Sequence, residues 1–144
     1  MKVRAGEKVD YDSLAKFRYE IRLFLDFVQR VAREAGIEPQ QYQALLAIRG
    51  LGSAEKPNVG TLARRMLLQH HSAVELSARL ERRGWIERTR SREDRREVLL
   101  RLTVRGRRLL DKLSRLHGEE LRVRAPRLIE ALQAAVPARS KRSK

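Results

Sequence analysis

The 144-residue sequence predicts a mainly α-helical domain carrying one small β-hairpin, on three observations. Apolar residues recur at helical spacing along both ends of the chain. Two short amphipathic segments meet near Leu67 and Leu68. After them comes a stretch patterned with period two and interrupted by a run of charge.

The first helix starts near Asp12 or Ser13, either able to cap it, and carries Leu14, Phe17, Ile21, Phe24, Leu25, Val28, Val31 and Ala35 as one stripe ended by Gly36. So long a stripe exceeds what a small domain needs internally, so part of it is expected to meet a second chain. Pro39 stands where proline opens a helix, and Tyr42, Leu45, Leu46 and Ile48 fill the inner face of that second helix up to Gly50 and Gly52. "SAEKPN" reads as a polar turn. Val59 to Leu67 reads as a short helix with Leu62, Ala63, Met66 and Leu67 inward, and Gln69 to Arg83 as another, closed by a left-handed Gly84.

"WIERT" and "VLLRLT" are rich in large and β-branched residues and read as two strands. "RSREDRRE" between them holds seven charged residues in eight and makes the loop of a hairpin. Thr103 is expected to cap a fifth helix whose apolar face is marked by Leu109, Leu110, Leu113 and Leu116, running to about Val123. Pro126 then opens a sixth with Leu128, Ile129, Leu132 and Val136. The expected organisation is an N-terminal arm over 1–11, one domain over 12–136 and a disordered basic tail over 137–144.

Composition narrows the function. Lys plus Arg number 33 against 18 Asp plus Glu, a formal net charge of +15, so the summed field attracts polyanions and nucleic acid is the leading partner. The absence of cysteine excludes disulfides, thiolate metal sites and thiol redox sensing. There is no long apolar run, and Met1-Lys2-Val3-Arg4 leads into polar sequence rather than a signal-peptide core; the expectation is a cytoplasmic protein that does not bind membrane.

A short helix, a tight turn, a second helix and a hairpin with a basic tip come in the order of a winged helix-turn-helix. The second helix must then show a polar face to a DNA major groove while its other face holds the core. At about 100° per residue, Ala73, Leu76, Ser77 and Leu80 share the inward arc. His71, Glu75, Ala78 and Arg82 share the opposite one, flanked by Ser72 and Val74. Residues near the helix N-terminus reach base edges, so the readout candidates are Gln69, His70, His71, Ser72, Val74 and Glu75, with Arg79 and Arg82 further along. An amide can grip adenine, imidazole can donate to guanine, Val74 can touch a thymine methyl and a carboxylate can accept from cytosine. In the loop, Arg90, Arg92, Arg95 and Arg96 are available to a narrow minor groove or to phosphate, with Glu93, Asp94 and Glu97 expected to steady some of them by pairing.

"LARRM", then "LSARLERRGWIERTRSREDRREVLLRLTVRG" and the leucine-rich helix after it, resemble the MarR family of bacterial transcriptional regulators over about Asp12 to Val136. The Asp94 to Arg96 segment, Leu102-Thr103 and Gly106 look like that family's wing signature. The resemblance implies a homodimer joined through helices over 12–36 and 103–136, with a DNA-binding lobe over 39–102. It also implies repression from a pseudo-palindromic operator and release by a small, often aromatic, ligand. Phe24, Phe27 and Tyr42 are the residues such a ligand would meet, although amphipathic helices bury aromatics as ordinary core too. Glu75 and the Gln69-His70-His71 start depart from the commoner family pattern, which implies an individual operator sequence or weaker binding.

The rivals are weaker. No glycine-rich phosphate loop, no nucleophile with a spaced base and no paired carboxylates support an enzyme, and no cofactor is called for. His70 and His71 on one helix point about 100° apart and cannot share a metal ion, so no metal site is expected. The remaining alternative is a nonspecific architectural DNA-binding or an RNA-binding winged helix. Aromatics make up only 5% of the chain, which argues against RNA read by stacking and in favour of duplex DNA.

Overall fold

The computed structural model describes residues 8–137 and contains five helices and one hairpin among them. Helix α1 is Tyr11–Glu34, α2 Pro39–Arg49, α3 Val59–Met66 and α4 His70–Arg82. Strands β1, Ile86–Arg90, and β2, Val98–Leu102, precede α5, Val104–Ala135. The chain divides into two compact units, Gln29–Leu116 and the remainder, so α1 and α5 each pass from one unit into the other. Parts of the arm and of the basic tail, residues 1–7 and 138–144, lie outside the described residues.

The unit Gln29–Leu116 closes around Ile37, Tyr42, Leu45, Leu80, Ile86 and Leu100, each at most 2% exposed. The inward arc expected for the fourth helix is buried as spaced: Ala73, Leu76, Ser77 and Leu80 are 0–3% exposed. The Ser77 hydroxyl, shut away from solvent, donates to the Val74 carbonyl at 2.8 Å. Pro39 begins α2 as expected, with Glu38 and Gln41 satisfying one another's backbone in a capping box.

The strands pair antiparallel from Ile86 opposite Leu102 to Arg90 opposite Val98. On the far side of β2 the chain entering α3 joins in: Leu100 N donates to Pro57 O at 2.7 Å, and Asn58 bridges Leu99. Gly84 takes the left-handed conformation expected of it, with φ +74. Thr103 then locks the end of α4 to the start of α5. Its amide donates to Trp85 O at 3.0 Å, its hydroxyl donates to Gly84 O at 2.7 Å, and that same hydroxyl accepts from Gly106 N at 3.0 Å.

In the second unit Phe24 lies against His117, ring centroids 5.0 Å apart, and Arg124 pairs with Glu120 one turn away. Burial holds the His117 imidazole below its ordinary pKa. Many large apolar residues of this unit stay exposed, Tyr11, Leu14 and Leu25 on α1 and Leu121, Ile129 and Leu132 on α5 among them.

The structure corrects four expectations. The first helix begins at Tyr11, inside the expected arm, and its cap is Asp10 rather than Asp12 or Ser13: the Asp10 carboxylate accepts from Ser13 N at 3.0 Å and Ser13 Oγ at 2.7 Å. These bonds hold its pKa down. Leu67 is not inward; it caps α3 at φ 54 and is 93% exposed. The expected fifth and sixth helices are one, because α5 runs through Pro126 without a break. The missing Pro126 N–H leaves one carbonyl of the preceding turn without its helical partner, while the turns on either side stay helical. Finally, the wing glutamates pair outside the loop, with Lys56 and Asn58, and not with the wing arginines.

Candidate nucleic-acid interface

Two consequences follow from how α4 begins. Leu67, in the left-handed conformation, turns the chain sharply between α3 and α4, so the two helices are joined by three residues. Gln69 is the N-cap of α4, but its exposed side chain makes no capping bond, which leaves its amide donor and acceptor to solvent. His70, His71, Glu75 and Arg82 are exposed beyond it. Val74 is 37% exposed, and Ser72 and Ala78 are partly covered. These residues share one solvent face. Arg79, also exposed, falls between Glu75 and Ser72 at helical spacing and lines a recess of about 380 Å³ with Gln29, Arg33, Gln40 and Gln41.

The wing loop is ordered by its own backbone. Ser91, 6% exposed, accepts at its hydroxyl from Glu93 N at 3.3 Å and Asp94 N at 3.4 Å, and its amide donates to Glu97 O at 2.9 Å. Asp94 Oδ1 accepts from Arg96 N at 3.0 Å. Arg90 is held by donating to the Arg95 carbonyl at 2.9 Å. Arg92, Arg95 and Arg96 are exposed, and the guanidinium of none of the three pairs with a carboxylate among the described residues.

The acids go elsewhere. Lys56 Nζ lies 3.2 Å from Glu93 Oε2 and 3.6 Å from Glu97 Oε1, and Glu93 first, then Glu97, pull the Lys56 pKa up. Asn58 Nδ2 donates to Glu97 Oε2 at 2.8 Å. Behind α3, Glu55 takes Arg65 at 2.7 Å and also Arg64, contacts that hold its carboxyl below the usual range. Sequence reasoning passes over Lys56 and Asn58. A cap signal is present, Asn58 directly ahead of the apolar Val59; nothing local points to partners more than thirty residues away.

The aromatic candidates fall in different places. Tyr42 is 1% exposed in the core of the unit Gln29–Leu116, and burial pushes its phenol pKa up against a hydrogen bond with Ser114 that lowers it. Phe24 and Phe27 are half-buried on α1. Among the described residues no group of three or more His, Asp or Glu could hold a metal ion, and no helix is long and apolar enough to cross a membrane.

Two helices meeting at a sharp turn, the second with a free polar face, followed by a two-stranded wing, define a winged helix-turn-helix protein. Residues 35–97 match the sequence model of the MarR family. That match lies inside the stretch over which the sequence resembles the family. It is 32% identical over 73 residues to the HTH-type transcriptional regulator SarZ of Staphylococcus saprophyticus, covering 51% of this chain and 50% of SarZ. It thus spans about half the length of the curated relatives it matches. The fold is shared with CouR of Rhodococcus jostii RHA1, solved bound to p-coumaroyl-CoA, at TM-score 0.64 and 25% identity over 92% of this chain and 96% of CouR. It is shared also with Staphylococcus aureus MepR in a DNA complex, at TM-score 0.70 and 18% identity over 88% of this chain and 93% of MepR.

Proposed function

We propose that the protein is a transcriptional regulator that binds double-stranded DNA sequence-specifically, as a homodimer on a pseudo-palindromic operator, and represses. The observation that carries this reading is the pairing of two surfaces. The open face of α4 offers Gln69, His70, His71, Ser72, Val74, Glu75 and Arg82 to a major groove, and the wing offers Arg92, Arg95 and Arg96 with no carboxylate bound to them. Arg90 and Arg79 serve it less directly, the first by shaping the loop, the second from the flank of α4. A DNA complex of MepR and the regulator name of SarZ support the same reading.

A dimer follows from the exposed apolar residues of α1 and α5, since a two-fold axis sets two recognition helices on successive major grooves about 34 Å apart. Release by a small aromatic ligand completes the proposal. Its support is the p-coumaroyl-CoA held by CouR, with Phe24, Phe27 and Tyr42 as the residues tested. Tyr42 can take part only if its part of the core opens.

The deciding experiment compares binding to random duplexes with binding to the DNA upstream of the protein's own gene at physiological salt. Specific regulation gives a preference of roughly 10³ or more. Equal affinities would replace the repressor by a nonspecific architectural protein, and tighter binding to RNA would replace both. Adding p-coumaroyl-CoA to the specific complex then reads release, and no change would remove that ligand class.

A further inference from the structure

The side chain of Asn58 is used at both ends. Its Oδ1 accepts from Thr61 N at 2.8 Å, which caps α3, and its Nδ2 donates to Glu97 Oε2 at 2.8 Å, at the root of the wing. The backbone beside it is tied to the same place, through Pro57 O to Leu100 N and the bridge to Leu99. Lys56 adds the contacts to Glu93 and Glu97. The first helix of the helix-turn-helix and the wing are therefore joined by one short segment, 56–58.

The joint has an electrostatic effect as well. Glu93 and Glu97 share a loop with Arg92, Arg95 and Arg96, and carboxylates left without partners there would draw those guanidiniums in. With both acids turned to Lys56 and Asn58, the arginines keep their charge for a polyanion. Glu97 has a side chain 18% exposed and Glu93 one 83% exposed, so the contact to Asn58 carries more than the screened pair of Lys56 with Glu93.

We propose that Asn58, assisted by Lys56, is a positioning residue for DNA recognition: it fixes the wing relative to α3 and holds the wing's carboxylates away from its arginines without touching DNA itself. This rests on the DNA-binding reading above. The position then calls for an amide, since aspartate caps a helix as well as asparagine does but has no N–H for Glu97.

That difference supplies the test. Asn58→Asp in the full chain keeps the cap and sets a carboxylate against Glu97. Trypsin cleavage after Arg92, Arg95 and Arg96 in the native protein is expected to speed up, and affinity for duplex DNA to fall, each by about tenfold, as for loss of one charge-assisted hydrogen bond. Glu97→Gln alone, which keeps an acceptor for Asn58, is expected to stay within about threefold of wild type. Combining it with Asn58→Asp gives the new carboxylate a donor and is expected to restore both measurements. Unchanged cleavage and affinity in Asn58→Asp would overturn the proposal, as would a loss that Glu97→Gln does not restore. Wild-type protein that binds no duplex, while cleavage still follows the pair, would sink the DNA-binding reading and leave the joint between α3 and wing standing.

Discussion

Leu67 alone among the described residues, glycines aside, has a positive φ, and it is 93% exposed. A branched side chain in the left-handed region costs about 1–2 kcal/mol, and no buried contact offsets it. Leu67→Gly is therefore expected to raise the unfolding free energy by about 1 kcal/mol in urea titration, net of glycine's added chain entropy; a loss of stability would show that the leucine itself holds the turn. Gly106 is the opposite case. A Cβ there would stand 2.0 Å from the Trp85 carbonyl oxygen, where α5 is locked to the end of α4, so Gly106→Ala is expected to destabilise by about 2 kcal/mol or more. A urea midpoint equal to wild type would mean that the backbone there yields freely. The exposure of Leu67 is not legible in the sequence because its spacing continues the stripe of α3, and periodicity says nothing about where a short helix stops. The buried arc from Ala73 to Leu80 is legible for the converse reason, since α4 stays regular throughout.

At the scale of elements, the wing is legible as two strands and a charged loop, but its charge pairing is not. Glu93 and Glu97 sit next to arginines in sequence and direct their charge to Lys56 and Asn58, a choice made by the tertiary fold. Arg95 and Arg96 stay exposed at the tip. If each meets a phosphate, alanine at both is expected to weaken duplex binding and to lower the salt slope by about one for each phosphate no longer neutralised; an unchanged slope would take the wing out of the interface. Pro126 misleads for a related reason. Proline most often marks a helix start, yet α5 continues through Pro126 from Val104 to Ala135, with one backbone hydrogen bond forgone. Pro126→Ala restores one backbone hydrogen bond and is expected to stabilise the chain by about 1–3 kcal/mol on chemical denaturation. Destabilisation would instead show that the proline's shape is required in α5.

The whole molecule brings charge and apolar surface into one argument. The net charge of +15 supplies attraction to any duplex, but attraction alone does not select a sequence, and one recognition helix reads too few base pairs to do so. Selection needs two helices held at fixed separation. On α5, Leu121, Ile129 and Leu132 are 40–54% exposed and fall within about 80° of one another at helical spacing, a stripe that a monomer would leave in water. Paired replacement Ile129→Glu with Leu132→Glu puts charge on that stripe, far in sequence from α4 and the wing. Light scattering is expected to show a dimer in wild type and a monomer in the variant, while the lobe keeps its fold by circular dichroism. The preference for specific over random duplex, roughly 10³ or more for the dimer, is expected to collapse toward unity while random-duplex binding persists through the wing and α4. A variant that stays dimeric would move the interface off this stripe. One that becomes monomeric yet keeps its preference would mean that a single lobe reads the operator, and the two-fold arrangement would lose its purpose.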